Sequence, residues 1–177
     1  MTALAAELEA HFKDQIHFFS NGGKKERERW VVEAWCRPGG RNGFSIVDGE
    51  RPDFTVDGEK VEVSEALRPH RRRHDACKED LAEMAAGRLP SPRYAGSLEE
   101  VLAGGHLWAL NGIDAKIEKY RSTATSDWVL LLYVNFSFWQ RVRWELVRSQ
   151  LTATPPPFKR IDALSADGKD VIPLFSR

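Results

Sequence analysis

The stretch from Trp128 to Val134 is apolar at every position, so a strand made from it must be covered on both faces. It is far too short to span a bilayer. A central strand of this kind demands helices on either side of a sheet, and the rest of the chain offers them. With 177 residues, 42% hydrophobic and 29% charged, the composition is that of a globular chain able to bury a substantial core.

Taken in order, apolar periodicity predicts helices over 2–19 and 24–36, each closed by Gly- or Pro-bearing breaks at 20–23 and 38–43. A short strand follows at 44–47, then two strands around Asp57-Gly58, a dipeptide that favours tight hairpins. Pro69 suits the first turn of a helix running to about residue 86. Ser97 and Glu100 form a capping-box pattern for a short helix to Leu102, with Gly104-Gly105 separating it from a helix or turn at 107–110. A further helix is expected over 112–121, its inner stripe carrying Ile113, Lys116, Ile117 and Tyr120. After the central strand come a helix over 137–151, with Trp139, Val142 and Leu146 inward, and a hairpin of 158–164 with 169–175. The expected architecture is α/β (α+β): a small mixed sheet flanked by helices. One domain over 1–177 is expected, with a core at about 24–135 and a C-terminal helix and hairpin over 137–175.

The hairpin is where chemistry is expected. On its second strand, alternation sends Val61 and Val63 to one face and Lys60, Glu62 and Ser64 to the other. The first strand begins at Asp53, so the turn can bring the Asp53 and Glu62 carboxylates together. Two converging carboxylates suit Mg²⁺, a hard ion that takes oxygen ligands and keeps waters for a phosphate substrate. Set against this, acids in hairpins are often no more than solvated surface.

Pro52-Asp53, then nine residues ending at Glu62 within the strand Val61-Glu62-Val63-Ser64, resembles the motif of the PD-(D/E)XK, or restriction-endonuclease-like, nuclease superfamily. The resemblance extends over roughly 25–134. It takes in an acid-bearing helix before the hairpin and the later pattern of Ile113, Lys116, Ile117 and Tyr120 followed by a strand. It implies a restriction-endonuclease-like fold and hydrolysis of phosphodiester bonds with Mg²⁺ or Mn²⁺. Asp53 and Glu62 would hold the metal, and the Val63 carbonyl would add a ligand. The family's lysine position is occupied by Ser64, so its positive charge must come from elsewhere. Lys116, inward on its helix, is the first candidate; Lys60, on the Glu62 face of the strand, is the second. Glu26, sharing a helix face with Glu33, is a candidate further metal contact.

Formal net charge is zero, so nothing global advertises nucleic acid and a binding surface must come from local clustering. Arg68, Arg71, Arg72 and Arg73, with His70 and His74, form such a cluster at a helix start, where phosphate is already favoured. Lys119 and Tyr120 are further candidate nucleic-acid contacts. Solvated pairing of these arginines with Glu65, Glu79 and Asp80 is the plainer reading. Cys36 and Cys77 lack metal-ligand spacing and are expected to be buried thiols, and the N-terminus lacks a secretory pattern. The functional expectation is a cytoplasmic nuclease-like protein acting on nucleic acid, DNA first, with no membrane association. A catalytically inactive module of the same fold, binding nucleic acid or a protein partner, is the alternative. A homodimer or protein partner is left open.

Overall fold

The computed structural model describes residues 3–38, 40, 41, 43–47, 51–69, 73–88 and 97–177, with backbone alone at 3–6, 8, 12, 73 and 74. The chain order is α1 (Ala3–Phe19), α2 (Lys24–Cys36), β1 (Phe44–Ile46), β2 (Phe54–Val56), β3 (Glu59–Ala66), α3 (Arg73–Ala85) and α4 (Leu98–Lys119). β4 (Trp128–Val134), α5 (Trp144–Ala153), β5 (Arg160–Leu164) and β6 (Val171–Ser176) complete it.

Among the described residues six strands form one mixed sheet in sequential order, β1 to β6. β1, β2 and β3 are antiparallel neighbours, β3, β4 and β5 run parallel, and β6 returns antiparallel to β5. The mixed α/β architecture is the one the sequence predicts. β4 is buried at every residue, as its apolar run requires. Its even-numbered residues, with Ala66, Ile161 and Ala163, face α4 and α5 in one core cluster. Its odd-numbered residues, with Val61 and Val63, face Val31, Val32, Ala34 and Trp35 of α2 in another. α1 and α3 pack on each other.

Two helical expectations are corrected. Gly104-Gly105 does not interrupt α4, which runs unbroken from Leu98 to Lys119 on a complete Ser97–Glu100 capping box. Each interior glycine costs about 1 kcal/mol of helix propensity, and at two of them close packing explains its presence. A β-carbon at Gly105 would lie 3.0 Å from Val142 Cγ2. At Gly112 it would meet Leu132 Cδ1 at 2.9 Å and the Glu65 carbonyl at 3.0 Å.

The expected helix over 137–151 is divided. Phe138 adopts a left-handed conformation (φ 56°), a short 3-10 turn follows at Trp139–Arg141, and α5 starts only at Trp144. The restart rotates the stripe: Trp144, Val147 and Leu151 point inward, while Leu146 is 39% exposed. Cys36 and Cys77 are buried and unbridged. No helix among the described residues is long and apolar enough to cross a membrane.

Candidate functional site

The β2–β3 turn has positive φ at both central residues, Asp57 (48°) and Gly58 (81°). That is the geometry whose twist matches a two-residue hairpin. The turn fixes the register Phe54–Val61, so Asp53 falls one step on, beside Glu62. The Val63 N–H donates to Asp53 Oδ2 at 2.8 Å. A residue's N–H and C=O point to the same side of its strand, so the Val63 carbonyl also faces the Asp53 side. Ala66, of opposite parity, turns its carbonyl to the β4 side, where it accepts from the Asn135 N–H at 3.0 Å.

Glu62 is fully buried in the face that meets α4. Its Oε1 accepts from Lys116 Nζ in a short ion pair and from the Tyr120 hydroxyl at 2.6 Å, with Lys119 Nζ at 3.7 Å. Its Oε2 is buried without a hydrogen-bond partner among the described residues. Lys116 is brought there by close contact of α4 with β3: the Ser64 hydroxyl donates to the Gly112 carbonyl at 2.7 Å. Lys116 lies one helical turn beyond Gly112. Ser64, where the motif has lysine, thus serves to dock the helix that carries Lys116.

Burial pushes the Glu62 carboxyl upward, but the charge and hydrogen bond of Lys116, with Tyr120 and Lys119, outweigh it and hold the group below its usual range. Asp53 goes the other way. Burial first, then the charges of Glu62 and Glu28, push it up to about 6. Burial and the hydrogen bond to Glu62 raise the Tyr120 phenol, which therefore remains a donor at ordinary pH. The Arg51 guanidinium lies 4.9 Å from the centre of the Tyr120 ring and Lys119 Nζ 5.0 Å from it. A cleft of about 150 Å³ opens between α2 and α4, lined by Lys24, Arg27, Glu28, Val63, Ser64 and Lys116 among others.

Other residues singled out in the sequence lie elsewhere. Lys60 is half-exposed and pairs with Asp127 at 2.9 Å, so it does not serve Glu62. Glu26 is exposed beside His17, 3.4 Å away, and Glu33 pairs with Arg29. The acid of α2 that Asp53 senses is Glu28. Tyr120 is completely buried and holds Glu62, which removes it from any direct nucleic-acid surface. Arg68 is tied to Glu100 at the start of α4. Arg71, Arg72 and the side chain of Arg73 lie outside the described residues.

Glu28 and Arg51 were missed in the sequence. Glu28 had a signal: it stands three, four and seven residues before Val31, Val32 and Trp35, the buried stripe of α2. Arg51 had none, since its contact with Tyr120 is made only in the tertiary structure.

A family model described as "Putative endonuclease, protein of unknown function (DUF1780)" matches residues 3–143. The chain belongs to the DUF1780 family. The match spans α1 through β4, and so every residue of the Asp53–Glu62–Lys116 cluster. Among curated proteins none matches this DUF1780 member. Among solved structures it is similar to PA4535, a protein of unknown function from Pseudomonas aeruginosa strain PAO1 described as belonging to a monooxygenase superfamily. The TM-score is 0.51 at 17% identity, covering all of this chain and 87% of that one. At such identity the likeness concerns the fold alone.

Proposed function

We propose that the chain is a metal-dependent phosphodiesterase acting on nucleic acid, a divergent PD-(D/E)XK nuclease in which Lys116 supplies the charge absent at Ser64. The observation that carries this reading is Glu62, a fully buried carboxylate with one oxygen held by Lys116 and Tyr120 and the other lacking a hydrogen-bond partner. Natural proteins rarely leave a buried charged oxygen unsatisfied without a reason. Beside it, Asp53 is pushed up by burial first and then by the charges of Glu62 and Glu28, which together make a place where a cation is favoured. The family's description as a "putative endonuclease" agrees with this reading.

Mg²⁺ or Mn²⁺ fits these donors. Asp53, Glu62 and the Val63 carbonyl would hold it, with Glu28 nearby; among the described residues no cluster of three or more His, Cys, Asp or Glu is arranged as a metal site. Two carboxylates, a carbonyl and waters nevertheless suit Mg²⁺, which retains much of its hydration. Such an ion would lower the pKa of a bound water and neutralise charge developing on a phosphate. Lys116 keeps Glu62 ionised and holds an ammonium close to the reacting region. Tyr120 locks the carboxylate's orientation. Arg51 and Lys119, with Lys24 and Arg27 across the cleft, provide the cations for neighbouring phosphates.

The test is incubation of the purified protein with single-stranded and duplex DNA and with RNA, with Mg²⁺, Mn²⁺ or chelator. Metal-dependent cleavage is expected, falling roughly 100-fold in Lys116→Met, as for loss of an electrostatic stabiliser. Failure to cleave any of these, together with no calorimetric binding of either ion, would sink the proposal.

One observation favours a second reading, a non-catalytic module of the same fold. Lys116, Lys119 and Tyr120 all converge on one Glu62 oxygen, so the carboxylate is already balanced without an ion. Nucleic-acid binding that is indifferent to metal, with no cleavage, would decide for it.

A further inference from the structure

A second, larger cavity adjoins the cleft at Lys116. It holds about 480 Å³ between α1, the first turns of α2 and the β5–β6 turn, and Tyr133 lines both spaces. One wall is aromatic. Phe18 meets Trp30 edge-on at 6.2 Å between ring centres, and Trp30 meets Tyr133 at 5.5 Å. The other wall is polar, with Asp14, Gln15, His17 and Glu26. Asp14, His17 and Glu26 are exposed and Phe18 and Trp30 only part-buried, so the space is a groove open to solvent with aromatic rings accessible in it.

The charges of the two spaces differ in a way that names an occupant. Around the smaller cleft Lys24, Arg27 and Lys116 outnumber Glu28 and Glu65, with which Lys24 and Arg27 pair, so the balance of its lining favours a phosphate. Asp14 and Glu26 line the larger, where a phosphate is repelled and a flat, uncharged ring with N–H donors is welcome. A nucleotide has this division: an anionic backbone, and a base with a π-face and exocyclic amines. Arg27 links the two spaces, its guanidinium 5.9 Å from the Phe19 ring centre and its Nε 3.8 Å from Glu65.

We propose that the aromatic cavity receives an unpaired base of the strand whose backbone lies in the Lys116 cleft. The substrate class is then nucleic acid with unpaired nucleotides near the bound phosphate: a single strand, overhang or flap rather than a blunt duplex. The inference rests on the nucleic-acid reading above and deepens it. A paired base would first have to leave its stack, at a free-energy cost that a single strand avoids. The carboxylates on the polar wall favour adenine, cytosine or guanine over thymine, which lacks an exocyclic amine.

The test uses the full chain in chelator, so that no cleavage is needed. A single-stranded oligonucleotide carrying 2-aminopurine is compared with the same sequence as a blunt duplex, by fluorescence and by affinity. Single strand is expected to bind about 10-fold or more tightly, with a change in 2-aminopurine emission, and Phe18→Ala is expected to lose about 10-fold, as for removal of one stacking platform. Because Phe18 also packs on Trp30, the exposed Asp14→Ala serves as a second variant. It should preserve the melting temperature yet lower the preference for adenine over thymine. Equal affinity for strand and blunt duplex, an unchanged emission, or normal binding by folded Phe18→Ala would overturn the proposal. Unchanged base preference in Asp14→Ala would overturn the assignment of the polar wall. If the nuclease reading fails instead, the emission change persists while cleavage with Mg²⁺ or Mn²⁺ is absent. Cleavage without preference for unpaired substrate is the reverse case, in which this inference alone fails.

Discussion

Asp53 and Glu62 are neighbours on a hairpin, yet their carboxyls are driven in opposite directions by what surrounds them. Glu62 has Lys116, Lys119 and Tyr120; Asp53 has burial and two carboxylates, offset in part by one backbone N–H and the more distant Lys116. The Asp53 carboxyl, raised from 3.8 to about 6, gives a signed prediction. Between those values the folded chain holds a proton that the unfolded chain has released, so this residue's contribution is fully present below about pH 4 and is lost as pH rises through about 6. Asp53→Asn keeps an acceptor for the Val63 N–H and removes the charge. In chelator it should unfold on the order of 1–3 kcal/mol harder than the parent at pH 8, and with no gain near pH 3.5, by urea titration. A gain that is the same at both pH values would refute the assignment. Lys116→Met should do the opposite at pH 8, costing about 3 kcal/mol because it leaves the buried Glu62 charge to the Tyr120 hydroxyl and the more distant Lys119; adding Glu62→Gln should recover most of the loss. Lys116 was legible from its place in an apolar helical stripe, since an inward lysine must find a carboxylate or reach the rim. Glu26 and Glu33 share a helix face in the sequence, but the charged opening of α2 gives no phase relative to the sheet. Only the apolar residues one turn later set which face turns toward the sheet.

At the scale of elements, the strands and α2 were legible because each rests on a local rule: an apolar run, a positive-φ turn, and a stripe bounded by breakers. Reading failed where tertiary contact overrides local preference. Gly104-Gly105 looks like a break, yet α4 continues through it, with the Gly105 backbone against Val142. The same logic predicts the response to Gly112→Ala. Helix propensity alone would favour alanine by about 1 kcal/mol. The added methyl, however, meets a leucine carbon at 2.9 Å and a backbone oxygen at 3.0 Å. The steric cost of overpacking, about 1–3 kcal/mol, should prevail. It should also push α4 from β3 and so move Lys116 away from Glu62. Asn111→Ala, on the exposed side of the same turn, should change stability by under about 0.5 kcal/mol. Thermal melts of the two variants check this. Equal stability would mean that the close approach at Gly112 does not position the helix. At the start of α4, Ser97 accepts from the Glu100 N–H at 3.2 Å while Glu100 Oε2 accepts from the Ser97 N–H at 2.8 Å. Ser97→Ala should therefore cost about 1 kcal/mol.

For the whole molecule, the sequential order of the sheet has a functional consequence. Because β3 lies inside the sheet and α4 covers its face at Glu62, that carboxylate does not reach bulk water. Its charge has to be answered from within the fold. The formal net charge of zero conceals this, since the cations and acids between α2 and α4 cancel in the sum just as the exposed surface pairs do. That is also why composition said so little about the site. If the proposed ion binds, it stabilises the folded chain through the same carboxylates, by about 2.7 kcal/mol at a hundred times its dissociation constant. For a chain of this size each kcal/mol raises the melting temperature by about 2–4 °C, so saturating Mg²⁺ or Mn²⁺ should add several degrees at pH 8. Asp53 must lose its proton to act as a ligand, so the increment should shrink as pH falls through about 6 and vanish near pH 4. Glu62→Gln should abolish it at every pH. A scan of melting temperature against pH, with and without metal, separates this from general salt effects, for which NaCl with chelator at matched ionic strength is the control. A shift independent of pH, or one retained in Glu62→Gln, would locate the ion elsewhere on the molecule.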